Sequence, residues 1–378
     1  MKKVRLGDIA TVITKGTTPT TLGYNFVDDG VNFVKIESIT ENGEFLIDKF
    51  AHITEECDSK LSRSQLQQND LLFSIAGAIG RTAIVTDDIL PANTNQALAI
   101  IRVPEGVVDY SYLKYVLQSP GVVEQFEKKK QGVAQLNISL KDIGDFEIPL
   151  RTAEEQKSIV ITMDKVSELI ALRKEQLDKL DQLVKSRFIE LFGDPNTNSM
   201  KWKKEQLQIN ATLLNGRAYK QDELLDDGKY PVLRVGNFFS NRGWYYSDLE
   251  LDEDKYCDDG DLLYAWSASF GPRIWNGGKV IYHYHIWKVL VGEKYNKQFL
   301  CHLLDYATAS FMGDTHGIGM MHLTKSGMEE TEFIVPPIDL QNQFTAFVEQ
   351  TDKSKLAVQQ SIGELEELKK SLMQKYFG

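Results

Sequence analysis

The stretch KSRFIELFGDPN (185–196) stands near the middle of the chain, and a variant of it, KSLMQKYFG (370–378), is found at the last residues. Each copy follows a long amphipathic segment and has a phenylalanine directly before a glycine. A sequence segment that recurs about half the chain length later indicates an internal repeat. A repeat determines which helices and strands of the two halves correspond to each other.

The repeat extends upstream of both phrases. FEIPLRTAEEQKSI (146–159) resembles FIVPPIDLQNQFTAF (333–347). Three identities align them: Phe146 with Phe333, Pro149 with Pro336, and Gln156 with Gln343. Four further matches follow in the same order: NDLLFSIAGAIGR (69–81) with GDLLYAWSASFGPR (260–273), VNFVKIES (31–38) with YPVLRVGN (230–237), VRLGDIATVITKG (4–16) with KEQLQINATLLNG (204–216), and Gly132 with Gly317. The chain is therefore predicted to be a tandem duplication.

Each copy ends in a predicted long helix. Apolar residues there follow heptad spacing, which favours packing of helix against helix. They are Met163, Val166, Ile170, Leu177, Leu180, Val184 and Leu191, and then Phe344, Val348, Val358, Ile362, Leu365, Leu372 and Tyr376. Thr152 and Glu155 form a capping box that starts the first helix, and Gly193 ends it. Counted from the aligned glutamines to the Phe-Gly pairs, the helices differ by two residues, so we expect their faces to correspond only approximately.

These patterns predict an α/β (α+β) fold in tandem, with two globular domains separated by two long antiparallel coiled-coil helices and related by a pseudo-two-fold axis. The expected boundaries are 1–149 for the first domain, 150–193 for the first helix, 194–335 for the second domain with a linker at 194–203, and 336–378 for the second helix. Each domain is expected to hold one curved mixed sheet with helices at its side. In the second domain KVIYHYHIWKVLV (279–291) is interpreted as a strand.

Composition sets limits on the function. The 378 residues carry 43 lysines and arginines against 54 aspartates and glutamates, a net charge of −11 that counts against nucleic acid as the default partner. No run of ~18 apolar residues predicts a membrane span, and no export signal is seen. The cysteines, Cys57, Cys257 and Cys301, stand singly, which predicts buried thiols and a cytoplasmic location.

No catalytic motif is found. The sequence contains no GxxxxGK[ST], GxSxG, HExxH or CxxC pattern. DPNT (194–197) resembles the D-P-P-aromatic loop of amino-methyltransferases, but it lacks the second proline and the aromatic residue. His283 and His285 have the spacing of metal ligands on one strand, yet no third ligand is apparent. We therefore expect no catalytic residue and no metal ligand in this chain.

Polar loops at matched positions are the remaining candidates. KGTTPTT (15–21) corresponds to NGRAYKQ (215–221), and both combine glycine with hydroxyls or cations that suit phosphate oxygens. AGAIGR (76–81) is matched with SASFGPR (267–273), and NTNQ (93–96) with YHYH (282–285), which offer arginines and base-edge hydrogen-bonding groups. Because the apolar framework agrees while the loops differ, the pattern predicts two copies of one scaffold that read two different targets.

The candidate DNA-binding residues come from both copies. The first copy contributes Lys15, Thr17, Thr18, Lys35, Arg81, Asn93, Asn95, Gln96, Lys128, Lys129, Lys130, Gln131 and Asn137. The second copy contributes Arg217, Tyr219, Lys220, Arg234, Asn237, Arg273, His283, His285, His316 and His322.

In this layout the chain resembles the specificity subunits of type I restriction-modification systems. LGDIATVITKGTTP, DLLFSIAGAIG, the glycine loop before IPLRTAEEQKSIV, and the helix that ends in LFGDPN carry the resemblance, as do IVPPIDLQNQF and SLMQKYFG in the second copy. It implies two target-recognition domains, each reading one half of a bipartite double-stranded DNA site. It also implies that the helices set the spacer between the half-sites and dock two modification (methyltransferase) subunits.

The resemblance further implies that this chain is not an enzyme by itself and binds no cofactor. The partner methyltransferase would use S-adenosylmethionine to methylate adenine, and partner restriction subunits would use ATP and Mg²⁺. Alternatives stay open at this point: a coiled-coil interaction scaffold without DNA binding, an independent enzyme, or the recognition chain of a type II-like methyltransferase or nuclease.

Overall fold

The computed structural model describes residues 2–128, 137–240, 242–267, 269–313 and 324–378. The chain divides into two compact units: residues 1–174 with 360–378, and residues 175–359. Each unit holds one globular domain together with the beginning of one long helix and the end of the other.

The described residues of unit 1 form nine strands in three sheets. The strands are β1 Lys2–Arg5, β2 Val12–Lys15, β3 Val31–Val34, β4 Ala51–Ile53, β5 Leu71–Ser74, β6 Thr82–Ile84, β7 Ala92–Thr94, β8 Leu98–Arg102 and β9 Glu147–Leu150. The sheet orders are β1-β9, β4-β3-β7 and β2-β8-β5-β6. Only the β3–β7 pair is parallel among the described strands of this unit. One curved mixed sheet, as expected from the sequence, is therefore wrong: the strands separate into three small sheets.

Short helices cover these sheets. They are α1 Leu6–Ile9, α2 Glu55–Lys60, α3 Tyr110–Leu117, α4 Pro120–Glu127 and α5 Leu140–Gly144. Helix α3 begins at Asp109, whose carboxylate accepts from the Tyr112 amide, and it buries Tyr112, Leu113 and Val116 in the main core. The long helix α6 then runs over Ala153–Phe192, and its first turn carries the predicted Thr152–Glu155 capping box.

Unit 2 repeats this order. Its strands are β10 Lys204–Gln206, β11 Ala211–Asn215, β12 Tyr230–Leu233, β13 Tyr245–Ser247, β14 Tyr256–Cys257, β15 Leu262–Ser267, β16 Ser269–Ile274, β17 Val280–Tyr282, β18 Ile286–Val291 and β19 Glu332–Ile334. Its sheets are ordered β10-β19, β13-β12-β17-β14 and β11-β18-β15-β16. Its helices are α7 Leu207–Asn210, α8 Val235–Phe239, α9 Lys297–Gly313, α10 Lys325–Glu330 and the long α11 Ile338–Phe377. The tandem duplication is confirmed.

The structure corrects the alignment of the two copies. Both long helices have 40 residues, so Ala153 corresponds to Ile338 and Phe192 to Phe377 without a gap. Strand pairing agrees, because Arg5 faces Glu147 and Gln206 faces Glu332. The sequence identities used above are therefore two residues out of register. They matched Phe146, Pro149 and Gln156 to Phe333, Pro336 and Gln343.

A buried glutamine in the first turn of each long helix shows the true correspondence. Gln156 accepts from the Asp109 amide at 2.8 Å and donates to the Arg151 carbonyl at 2.9 Å. Gln341 accepts from the Asn296 amide at 2.8 Å and donates to the Pro336 carbonyl at 2.8 Å. The equivalent of Gln156 is thus Gln341, and the expected slip between the helix faces does not exist.

The long helices pack antiparallel within each unit. In unit 1, Met163 lies in one apolar cluster with Met373 and Phe377, while Lys174 pairs with Glu366 at 3.3 Å. In unit 2, Val184, Phe188 and Phe192 lie in one cluster with Phe344 and Val348. The predicted heptad positions are buried or half-buried in both helices. None of the described helices combines the length and the apolar character that crossing a membrane requires.

Candidate nucleic-acid interface

A loop and a turn lie against each other at the same place in both domains. In the first domain, the loop after β2 contacts the turn between β7 and β8, and the Gly16 amide donates to the Asn95 carbonyl at 3.2 Å. A Cβ atom on Gly16 would overlap the Thr94 carbonyl. Only glycine allows this approach, so the loop and the turn are held as one surface.

The second domain uses the same device. The loop after β11 begins at Gly216, where a Cβ atom would overlap the carbonyls of Tyr282 and His283. Arg217 then exchanges backbone hydrogen bonds with the turn, donating to the Tyr282 carbonyl and accepting from the Tyr284 amide, each at 3.0 Å. We call each of these surfaces, 15–18 with 95–96 and 215–219 with 283–285, the clamped loop–turn.

The first clamped loop–turn presents small polar groups. Lys15 and Gln96 are exposed, and Thr17, Thr18 and Asn95 are half-buried. The Thr18 hydroxyl donates to the Gln96 side-chain oxygen, which orients the amide. The clamp thus brings five of the candidate residues together.

Asn93, also predicted to contact DNA, does not lie on this surface. Its side chain is completely buried and donates to the Asp58 carboxylate at 2.8 Å and to the Leu61 carbonyl. Its oxygen accepts from the Ser64 hydroxyl at 2.7 Å. The prediction that Asn93 contacts DNA is wrong, because strand β7 turns this side chain into the protein, where it joins β7 to the stretch at 58–64.

The second clamped loop–turn is aromatic. Arg217 binds Glu223 with two hydrogen bonds of 2.7 and 2.9 Å, and this pairing lowers the pKa of the Glu223 carboxyl to about 2. The Arg217 guanidinium also lies 5.2 Å from the centre of the Tyr219 ring, which stacks on His283 at 6.3 Å. Since Arg217 is neutralised by Glu223, the exposed cation of this loop is Lys220.

The histidines lie on a turn rather than on one strand. Strand β17 ends at Tyr282 and β18 starts at Ile286, so the single strand expected over 279–291 is wrong. The His283 and His285 rings are 4.8 Å apart. Burial, then His285 and Arg234, lower the pKa of His283 to about 4, so this imidazole is neutral at pH 7. Among the described residues no group of three possible ligands could hold a metal ion.

Arg81 and Arg273 have structural partners. The Arg81 guanidinium donates to the carbonyls of Ile39 at 2.7 Å and Ile36 at 3.3 Å. Arg273 donates to the Phe238 carbonyl at 2.5 Å. Each arginine thus fastens the short helical segment that follows β3 or β12. Both guanidinium groups therefore have partners inside their own domain, and their contact with DNA stays a prediction.

The two arginines are also not equivalent, although the sequence matched them. Leu72 faces Ala83 across the β5–β6 pair, whereas Leu263 at the same place in β15 faces Arg273. β15 and β16 pair as far as Ser267 with Ser269, whereas β5 and β6 are joined by a loop at 75–81.

Lys35 and Arg234 do occupy equivalent positions after β3 and β12. Lys35 lies 4.3 Å from the centre of the Phe26 ring and Arg234 lies 4.2 Å from that of Tyr245. Asn237 donates to the Arg242 carbonyl at 2.7 Å, which fixes the neighbouring loop.

The remaining predicted residues follow the helices that precede the glycine loops. Lys128 is exposed and pairs with Glu124 at 2.9 Å, and Asn137 is exposed. Lys129, Lys130, Gln131, His316 and His322 lie outside the described residues.

Sequence reasoning missed Trp266 and Tyr284. Trp266 follows the buried part of β15, and its indole N–H donates to the Tyr284 carbonyl at 2.8 Å. The alternation of aromatic residues in LLYAWS (262–267) could have indicated that Trp266 shares a face with Tyr264.

Comparisons with known proteins agree with this architecture. The model of the type I restriction modification DNA specificity domain matches residues 1–182 and 201–370. The EcoBI specificity subunit of a type I restriction enzyme from Escherichia coli is 34% identical over 136 residues, which span 35% of this chain and 28% of that protein. The MjaIX specificity subunit from Methanocaldococcus jannaschii is 21% identical over 99% of this chain and 91% of its own length.

Solved structures share the fold. A chain from a study of complex assembly and conformational transition of the type I R-M system has a TM-score of 0.65 at 17% identity, over 99% of this chain and 96% of that one. The type I restriction-modification S subunit from M. genitalium has a TM-score of 0.53 at 14% identity, over 100% and 96% of the two chains. With the family model matched twice over most of the sequence, this chain belongs to the type I restriction modification DNA specificity domain family.

Proposed function

We propose that this chain is the sequence-reading subunit of a type I restriction-modification complex, in which each globular domain reads one half of a bipartite site on double-stranded DNA. The observation that carries the proposal is the clamped loop–turn. Both domains hold it with a glycine at the same place, Gly16 or Gly216, and each presents different side chains on it. A constant support with different polar groups suits recognition of two different base sequences.

The charges near these surfaces are compatible with a phosphate backbone. Lys15 and Lys220 are exposed, although the whole chain carries a net charge of −11. A few local lysines can steer DNA to one face of an acidic protein. The modification subunits would supply the other phosphate contacts.

The long helices offer matched positions for two partner copies. Leu183 in α6 and Leu368 in α11 are equivalent in the corrected alignment, and both are exposed, at 48% and 47%. Large apolar side chains at equivalent exposed positions suit the docking of two identical modification subunits. The same helices would set the spacer between the half-sites.

The chemistry would belong to the partners in the cytoplasm. The modification subunits would transfer the methyl group of S-adenosylmethionine to adenine, and restriction subunits would use ATP and Mg²⁺. This chain would contribute recognition and no catalytic group.

Binding to duplex DNA at several salt concentrations tests the proposal. Because each displaced phosphate counterion contributes to the slope, the logarithm of the binding constant should fall linearly with the logarithm of salt concentration, and a duplex with the recognised sequence should bind more tightly than a scrambled one. Purified chain with S-adenosylmethionine and DNA should transfer no methyl group until the modification subunit is added. Salt-independent or absent DNA binding by the complex would favour an interaction scaffold, and methylation by the isolated chain would favour an enzyme.

A further inference from the structure

An aromatic cleft lies beside the clamped loop–turn of the second domain. Trp266, Tyr284 and Trp287 line it together with Ala218, Asn215 and Lys325, and its volume is about 670 Å³. This is within the range of roughly 300–1,000 Å³ that small-molecule sites occupy.

The cleft exposes the end of a ladder of rings. Tyr264 and Trp287 are buried and nearly parallel, with centroids 5.8 Å apart and planes at 17°. Trp266 continues the ladder, 5.8 Å from Trp287 at 19°, and it is only half-buried. A ladder that ends at a half-exposed indole can be extended by one more flat ring.

Trp266 is held in place rather than loosely exposed. Its indole N–H donates to the Tyr284 carbonyl at 2.8 Å, and its ring meets the His285 ring edge-on at 5.0 Å. Tyr284, at the tip of the turn, is 39% exposed and stands 5.9 Å from the Trp266 ring. The ring is therefore oriented before any ligand arrives.

The first domain lacks this ladder at the same positions. Phe73 pairs with Ala99 in the register in which Tyr264 pairs with Trp287. Two residues beyond Phe73 stands Ile75, where the second domain has Trp266. The framework therefore does not need these rings, since the same three-stranded pairing forms without them.

We infer that the cleft of the second domain receives one unstacked nucleobase of the bound DNA, which stacks on Trp266 beside Tyr284. The inference rests on the proposed function. A flat aromatic ring offers its π-face to any base. Asn215 and Lys325 also line the cleft and can meet the base edges, although Lys325 pairs with Glu329 at 3.5 Å. The base would leave its stack at the second half-site only.

Mispaired duplexes provide the test. The recognised site is first identified by methylome sequencing, and duplexes are then made with a mismatch or a 2-aminopurine at each position of both halves. Because a mispaired base costs less to unstack, a duplex mismatched at one position of the second half-site, other than a methylated adenine, should bind the complex more tightly by roughly tenfold. At that position 2-aminopurine fluorescence should change on binding, and Trp266→Ala should abolish both effects.

Matched variants separate this inference from folding and from the proposed function. Trp244→Ala removes another partly exposed tryptophan of the same domain, whose ring meets Trp275 edge-on. This variant should leave both effects intact. Trp266→Phe keeps a ring and should retain part of the preference. Away from the methylated adenines, mismatch effects that persist unchanged in Trp266→Ala, or sequence-specific binding without any position of mismatch preference, would overturn the inference alone. Failure of the unaltered complex to bind DNA sequence-specifically would overturn the proposed function instead.

Discussion

The two globular domains agree in their framework down to single hydrogen bonds and differ where side chains meet solvent. Gly16 and Gly216 make the same close approach to a turn, and Gln156 and Gln341 hold the same backbone groups. On that support one domain presents threonine, glutamine and lysine, and the other presents tyrosine, histidine and tryptophan. Positions constrained by buried backbone have been kept, and exposed positions beside them carry different chemistry.

The cores differ in a second way. Unit 2 is built around a cluster of phenylalanines, with Phe188 in ring contact with Phe192, Phe299 and Phe344. At the place of Phe188 unit 1 has Met373, which lies in a mixed aliphatic and aromatic cluster. The same helix packing is thus stabilised by different side chains.

The largest expected effect concerns these two equivalent core positions. Phe188→Ala removes a fully buried ring and should lower the free energy of unfolding by about 3–5 kcal/mol. Met373→Ala removes a smaller side chain that is 8% exposed and should cost about 2–3 kcal/mol. Chemical denaturation of both variants measures the difference. A larger decrease in the free energy of unfolding for Met373→Ala would contradict the proposed difference between the two cores.

Substitution of either clamping glycine should disrupt only the clamped loop–turn of its own domain. Gly16→Ala and Gly216→Ala each place a Cβ atom on a carbonyl, so each should displace one loop–turn and weaken binding to one half-site, by about 1–3 kcal/mol for each base that is no longer read. Duplexes with one half-site scrambled identify the half affected. Gly243→Ala is the control, because a Cβ atom there meets nothing within 4 Å. If one glycine variant affected both halves equally, the two surfaces would not act independently.

Substitution of the two buried glutamines by methionine should destabilise the protein by unequal amounts. Gln156→Met leaves one amide and one carbonyl without a partner, at a cost of about 1–3 kcal/mol. Gln341→Met should cost about 1 kcal/mol more, because Gln341 also donates to the Lys294 carbonyl at 2.9 Å. Thermal unfolding compares them with Gln343→Met, an exposed residue that the letter-by-letter alignment had paired with Gln156. If Gln343→Met lowered the stability as much as Gln156→Met does, the pairing of Gln343 with Gln156 would be supported instead.

A smaller, pH-dependent difference separates strand β10 from β1. Hydrogen bonds from Asn210, and then from Lys203 and Lys294, lower the pKa of Glu205 to about 2, whereas Val4 stands at the equivalent position. A depressed carboxyl pKa contributes stability above the ordinary value near 4.5, and this contribution disappears as the pH falls towards 2.

Urea denaturation between pH 6 and pH 3 should therefore show a weaker decrease in stability for Glu205→Gln than for the unaltered chain. Val4→Thr, at the corresponding place in the first domain, should leave the pH dependence unchanged. Parallel pH profiles for Glu205→Gln and the unaltered chain would show that Glu205 makes no such contribution.

Much of the fold could be predicted because it depends on periodic patterns. The heptads, the capping box at Thr152 and the Phe-Gly ends follow local rules, and the helices form where expected. The alignment of the copies failed by two residues because identical letters, such as Gln343, outweighed the buried partners of Gln341, which no local pattern reveals.

The candidate site was harder to predict for the same reason. Gly16 and its surroundings could be found because a glycine between polar residues marks a close backbone approach. Asn93 was misread because the sequence pattern of a polar residue at a strand end is the same whether its side chain contacts DNA or is buried against protein groups. Trp266 was missed because its exposure depends on which residues cover the sheet.

Exchange of one domain tests whether each globular domain reads its own half-site. Residues 4–149 are replaced by the corresponding domain of another family member, and the methylome is sequenced in cells that also carry the modification subunit. One half of the methylated motif should change while the other half and the spacer stay the same. A motif that changes in both halves, or in neither, would contradict the assignment of one half-site to each domain.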